Sequence, residues 1–158
     1  SPVQVAEIDG DAVLRQYFNE LGRITWHLDM HRAGVHGEIA DRYLELDDAG
    51  RALRHYDLAL RDGDGIHPAQ RLPFELGRAS ALLARDRPAE AIEALDRAPE
   101  LDPLPEPEAQ AEAFRLRIRC LLTLDRLDEA ERVVRERLEW LPEDADARQL
   151  LTEVLQAR

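Results

Sequence analysis

Arg115 and Arg119 lie four residues apart, one helical turn, and a pair so spaced can grip one carboxylate between two guanidinium groups. Beside Glu112 the same spacing also describes an ordinary solvated helix face. Trp26, His27, His31 and His36 form a second cluster. His27 and His31 are also four apart and can project together from a helix, as metal ligands do. No Glu follows His27 as in a zinc protease, and spacing specifies no third ligand. The expectation is therefore partly exposed histidines at a helix end beside a core Trp, with no metal bound. Asp62 and Asp64 among Gly63 and Gly65 look like the start of a calcium loop, but the fifth and twelfth ligands are missing, so a capped turn is expected. Cys120, next to Leu121 and Leu122, reads as a half-buried packing residue and not a nucleophile. There is no Gly-rich phosphate loop and no Ser nucleophile elbow. With 33 carboxylates, no acid–base pair stands out without geometry. The chain is expected to be non-catalytic and to carry no cofactor.

Composition narrows the partners. The chain has 158 residues, one domain's worth, and 44% are apolar, enough for a sizeable core. Aromatics make up only 5%, Ala and Leu dominate, and helices are favoured over sheets. The net charge of −12 repels phosphate backbones and anionic lipid, so neither nucleic acid nor a membrane is an expected partner. All 21 basic residues are Arg. One cysteine leaves no internal disulfide, which fits a reducing, cytoplasmic setting. No apolar run approaches the ~20 residues that cross a bilayer. The chain opens Ser1-Pro2 without Met, as a processed protein or an excised domain would.

These residues must be carried by helices. Asp9 or Asp11 can cap a first helix over about 11–31. Leu14, Tyr17, Phe18, Leu21, Ile24 and Leu28 form its apolar stripe. Gly22 inside it implies close packing, and Ala33-Gly34 and Gly37 imply its end. From there the chain repeats with a period of 39: Leu44, Leu83 and Leu122 begin equivalent segments, followed by Asp47, Asp86 and Asp125 and then by Ala52, Ala91 and Ala130. Ala40 and Tyr43, Ala79 and Leu82, and Ile118 and Leu121 precede the segments. Tyr56, Leu95 and Val134 follow them. The pattern predicts helices near 36–46, 48–61, 70–85, 88–98, 107–124, 127–140 and 143–157. The repeated Asp lies in each inter-helix turn. Asp86 and Asp125 are expected to cap the second helix of their units, one of which opens with Pro88. Short links at 62–68 and Pro99–Pro107, rich in Gly and Pro, separate the units. The last helix, with Leu150, Leu151, Val154 and Leu155 on one stripe and polar residues elsewhere, suits an end cap.

Small-x-x-large, then Ala-x-x-x-large, then Ala, then Pro is a pattern that resembles the tetratricopeptide repeat (TPR) family. The best unit has Ala79, Leu82, Ala91, Leu95, Ala98 and Pro103. The period is longer than the family's usual ~34 residues. Asp stands where its turn Gly is common, and Arg78 and Arg117 replace preferred Leu. The resemblance implies an all-α, right-handed superhelical solenoid of helix-turn-helix repeats. It comprises an extra N-terminal helix (10–32), repeats at 33–68, 69–106 and 107–142, and a capping helix (143–158) in a single domain. It also implies a protein–protein interaction module with a concave groove lined by the first helix of each unit. Asp41, Leu44 and Glu45 would line it, then Leu76, Ser80 and Leu83, then Glu112, Arg115, Arg119 and Leu122, and Gln149 and Glu153 after them. The expected partner is a protein segment, basic in character given the acidic surface. The N-terminal helix is expected to pack on the first repeat as a cap. In the alternative it projects and pairs with another copy, making a homo-oligomeric scaffold, or the chain is the regulatory domain of a larger enzyme.

Overall fold

The computed structural model describes residues 10–62, 68–98 and 107–158. The expected cap Asp9, the Gly63-Asp64-Gly65 run and the Pro99–Pro105 stretch lie outside them. The described residues form seven helices: α1 (Gly10–Glu45), α2 (Ala49–Asp62), α3 (Pro68–Ala84), α4 (Pro88–Arg97), α5 (Pro107–Thr123), α6 (Leu127–Trp140) and α7 (Ala145–Gln156). Each helix packs on the next, and the first helices of successive units also touch, α1 on α3 and α3 on α5. The result is an all-α stack of helical hairpins.

The 39-residue period is the packing rule of this stack. Ala52, Ala91 and Ala130 are all fully buried, as are Ala40, Ala79 and Ile118. Tyr56, Leu95 and Val134 fill the space beside them. Small side chains let paired helices approach, and each large apolar side chain buried there contributes about 1.5–3 kcal/mol.

Asp47, Asp86 and Asp125 all have left-handed backbone, with φ of 57°, 58° and 56°. Each is the second residue after the first helix of its unit. The amide of the following residue bonds back to the last turn: Asp48 N–H to the Tyr43 carbonyl (2.8 Å), Arg87 to Leu82 (2.9 Å) and Arg126 to Leu121 (2.9 Å). The Asp amides bond to Leu44, Leu83 and Leu122. This is a Schellman closure, three times over. The expectation for Asp86 and Asp125 is therefore corrected. They end the first helix and do not cap the second, because their backbone has already turned left-handed. Arg87 and Arg126 occupy the N-cap positions of α4 and α6 without a side-chain cap bond. They pair with Glu90 and Glu129. Asp48 does cap α2, its Oδ1 accepting the Arg51 amide at 3.0 Å.

Three further expectations fail in α1. It runs unbroken through Ala33, Gly34 and Gly37, so the N-terminal helix and the first helix of the first repeat are one 36-residue element. Glycine costs a helix only about 1 kcal/mol, and Ala33 and Gly37 are buried on α1's packed side. Gly37 is needed there because a Cβ would sit 2.4 Å from the Phe74 ring. Gly22, by contrast, has nothing within 4 Å of such a Cβ, so no close packing occurs at that point. The N-terminal half of α1 is not a packed cap: Leu14, Tyr17, Phe18, Leu21, Ile24 and Leu28 are all exposed, Phe18 at 69%.

At the other end, α7 buries Leu150 and Val154 and half-buries Leu151, while Leu155 points outward. Asp144 caps α7 by accepting the Ala147 amide at 3.0 Å, and Arg137 Nε reaches the same carboxylate at 2.6 Å.

Candidate functional site

The groove-lining set divides along the stack. At the α1 end, Glu38, Asp41, Arg42 and Glu45 line an open depression. Asp41 is exposed, and its Oδ1 accepts the hydroxyl of Tyr56 from α2. Tyr56 crosses α3 at Gly77, where a Cβ would meet its ring at 2.3 Å. Only glycine lets the phenol pass beneath the α3 backbone to reach α1. Burial first, and Asp41 second, hold the Tyr56 hydroxyl protonated well above the usual phenol range, and the negative charge of Glu112 on α5 adds to the shift. Asp41, Tyr56 and Glu112 therefore lie within one electrostatic neighbourhood drawn from α1, α2 and α5.

Not every expected residue is available. Leu76 is a core residue, 4% exposed, and offers no surface. Its side chain packs with Leu72, Ala79 and Leu82, because the α3 stripe rotates it inward. Leu44, Ser80, Leu83 and Leu122 are half-buried at the margin of the core. Glu45, Gln149 and Glu153 are exposed, and Gln149 donates to Glu153 at 3.4 Å. Arg115 donates to Asp146 of α7 at 3.2 Å, so its guanidinium is engaged within the chain. Arg119 is exposed, one turn further on. The two Arg do not form a preset clamp.

Arg78 and Arg117 do something the sequence reading missed. Arg78 Nε donates to Asp57 at 2.6 Å, and Arg117 Nη2 donates to Asp96 at 2.7 Å. Donors and acceptors are each 39 residues apart, so one ion pair joins the second helix of a unit to the first helix of the next, twice. The signal was present as Asp at 57 and 96 and Arg at 78 and 117. Their equivalents in the last unit are Arg135 and Gln156, and Arg135 pairs with Glu131 instead. The replacement of Leu by Arg at these positions thus serves stacking.

The aromatic–histidine cluster is split. Trp26 is 43% exposed and not a core residue, packing edge-on to His27 with ring centres 5.0 Å apart. His27 and His31 are exposed along α1. His36 instead meets His55 of α2, Nδ1 to Nδ1 at 3.0 Å, one ring donating to the other, with Asp62 Oδ2 at 3.8 Å from His36 Nε2. Burial, then the charge of His36, lowers the His55 pKa. No group of three or more metal-ligating side chains occurs among the described residues. Cys120 is fully buried, not half-buried, and burial raises its thiol pKa, which disfavours a thiolate. No described helix is long and apolar enough to cross a membrane.

The arrangement is matched among solved structures by the NMR structure of the first TPR domain of the human RPAP3 protein. The TM-score is 0.64 and the sequences are 23% identical, over 81% of this chain and 93% of that one. The fold is that of a TPR-like repeat domain. No protein-family model and no curated protein matches the sequence. The likeness is thus one of backbone architecture, reached here with Asp at the turns and Arg at the repeat joints.

Proposed function

We propose that the domain is a non-catalytic interaction module that takes a basic segment of a partner protein along the face of α1, α3 and α5. The observation that carries this reading is the carboxylate set at the α1 end. Glu38, Asp41 and Glu45 are all exposed on one stretch of α1, and Glu112 of α5 adds to their field. Arg42 is the counter-charge among them, already paired with Glu45 at 2.9 Å. Tyr56 fixes Asp41 in place, so an incoming guanidinium meets a carboxylate that has little rotamer freedom left to lose. Half-buried Leu44, Leu83 and Leu122 supply apolar contact, with Arg115 and Arg119 near the far end.

The test is a titration of a fluorescently labelled, arginine-rich peptide of about a dozen residues at low and physiological salt. Rim charge pairs contribute up to about 1 kcal/mol each. Asp41→Asn with Glu112→Gln should therefore weaken binding about fivefold to tenfold, and salt should weaken the wild type more than the variant. Equal affinity for both proteins would remove this face as the binding site. Arg115→Glu with Arg119→Glu should leave a basic peptide bound at least as well, and a loss there would mean that the segment is acidic.

A further inference from the structure

We propose that the projecting half of α1 is a self-association helix, which pairs antiparallel with the same helix of a second copy. This inference is independent of the groove reading and rests on a different surface. At a rise of about 1.5 Å per residue, α1 is about 54 Å long and its partner α2 about 21 Å, so the first half of α1 extends past the stack. Along α1, Leu14, Leu21, Leu28 and Val35 recur every seven residues, with Tyr17 and Ile24 between them at the alternating three- and four-residue step of a coiled-coil seam that begins on this projecting half. All six are exposed large apolar side chains.

The chain's own repeats cannot cover this seam. The buried row of α1 is Ala33, Gly37 and Ala40. At about 100° per residue, Leu28 points about 140° away from Ala33, so the seam faces away from the stack. Because α1 is continuous, the seam cannot turn back onto it.

Charge and area point to a second copy as the occupant. The chain carries −12 overall, yet residues 12–32 hold three Arg (15, 23, 32) and two acids (Glu20, Asp29), a net of +1. Two such helices, each close to neutral, meet with little of the repulsion that the overall charge of −12 would impose. In the antiparallel register that sets Leu21 against Ile24 of the other copy, Tyr17 meets Leu28, and Glu20 on the flank meets His27 of the other copy, twice by symmetry. A parallel pair would instead bring His27 beside Arg32. With Val13 and Phe18 added, the exposed seam amounts to on the order of 900 Å² per copy, and a stable interface needs about 800 Å² per partner.

Sedimentation equilibrium up to about 100 µM, where a micromolar dimer is well populated, tests this. The wild type should show twice the 18.0 kDa chain mass. Leu21→Glu with Ile24→Glu should return it to a monomer that stays helical and still unfolds cooperatively, since both positions are exposed in the single chain. A wild type that stays monomeric, or a variant that stays dimeric, overturns the proposal. Mixing Leu21→Cys with Ile24→Cys chains under oxidation should give the mixed disulfide. Self-crosslinked Leu21→Cys alone would refute the antiparallel register.

Discussion

Gly77→Ala and Gly34→Ala are the same chemical change in two helices of this stack, and they should move stability in opposite directions. Alanine is about 1 kcal/mol better than glycine in a helix interior. At Gly34 nothing lies within 4 Å of the added carbon, so most of that gain should appear. At Gly77 the carbon would lie 2.3 Å from Cζ, 2.4 Å from Cε1 and 2.6 Å from the hydroxyl oxygen of Tyr56. The ring must retreat by about 1 Å to restore an ordinary contact. It cannot do so freely, because Tyr56 is 1% exposed and its hydroxyl is tied to Asp41. Overpacking of this kind costs about 1–3 kcal/mol, and the lost hydroxyl bond adds about 1 kcal/mol. Against the helix gain, the net loss should be about 2 kcal/mol. For a chain of this size, thermal unfolding followed by circular dichroism should show Gly77→Ala melting about 4–8 °C lower and Gly34→Ala about 2–4 °C higher. Tyr56→Leu should be less damaging in the Gly77→Ala background than in the wild type, the mark of a shared steric cause. If Gly77→Ala melts higher than the wild type, the Tyr56 passage beneath α3 is not as described, and the positioning of Asp41 built on it fails as well.

Two more outcomes follow from the turns. Asp86→Gly should stabilise by about 1 kcal/mol, because a left-handed φ of 58° strains any residue with a Cβ, and urea unfolding should show the midpoint rise at constant slope. Asp144→Ala should cost about 1 kcal/mol through the lost α7 cap. Its pH signature is set by a balance. Burial raises the Asp144 pKa, but the Ala147 amide and Arg137 overcome burial and hold it below the usual Asp range. Its contribution is thus complete above the ordinary Asp pKa and fades as acid titrates through the depressed folded value. The gap between the variant and the wild type should close in that acidic window, and a gap that persists there would contradict the assignment.

Much of this architecture was legible in the residue order. Ala at 52, 91 and 130 and large residues at 56, 95 and 134 fixed the period, and the period placed six helices within two or three residues of their observed ends. That is a matter of local pattern: a helix must bury one stripe, and the stripe is written in its own sequence. The turn Asp residues were found, but their role was misread, because a carboxylate at a helix boundary fits either a cap or a left-handed stop until φ is known.

What only the tertiary structure decided concerns partners distant in the chain. Gly34 and Gly37 read as a break, yet glycine's local cost is small and the Phe74 ring against Gly37 outweighs it. Arg78 and Arg117 looked like departures from a pattern until Asp57 and Asp96 stood opposite them. Leu76 and Leu44 are equally apolar in the sequence, and only packing set one inside and the other at the margin. A stripe on a helix states that something will cover it, but which surface does so depends on the helix's rotation against its neighbours. That rotation placed Ala33 inward and left the seam from Leu14 to Val35 facing solvent.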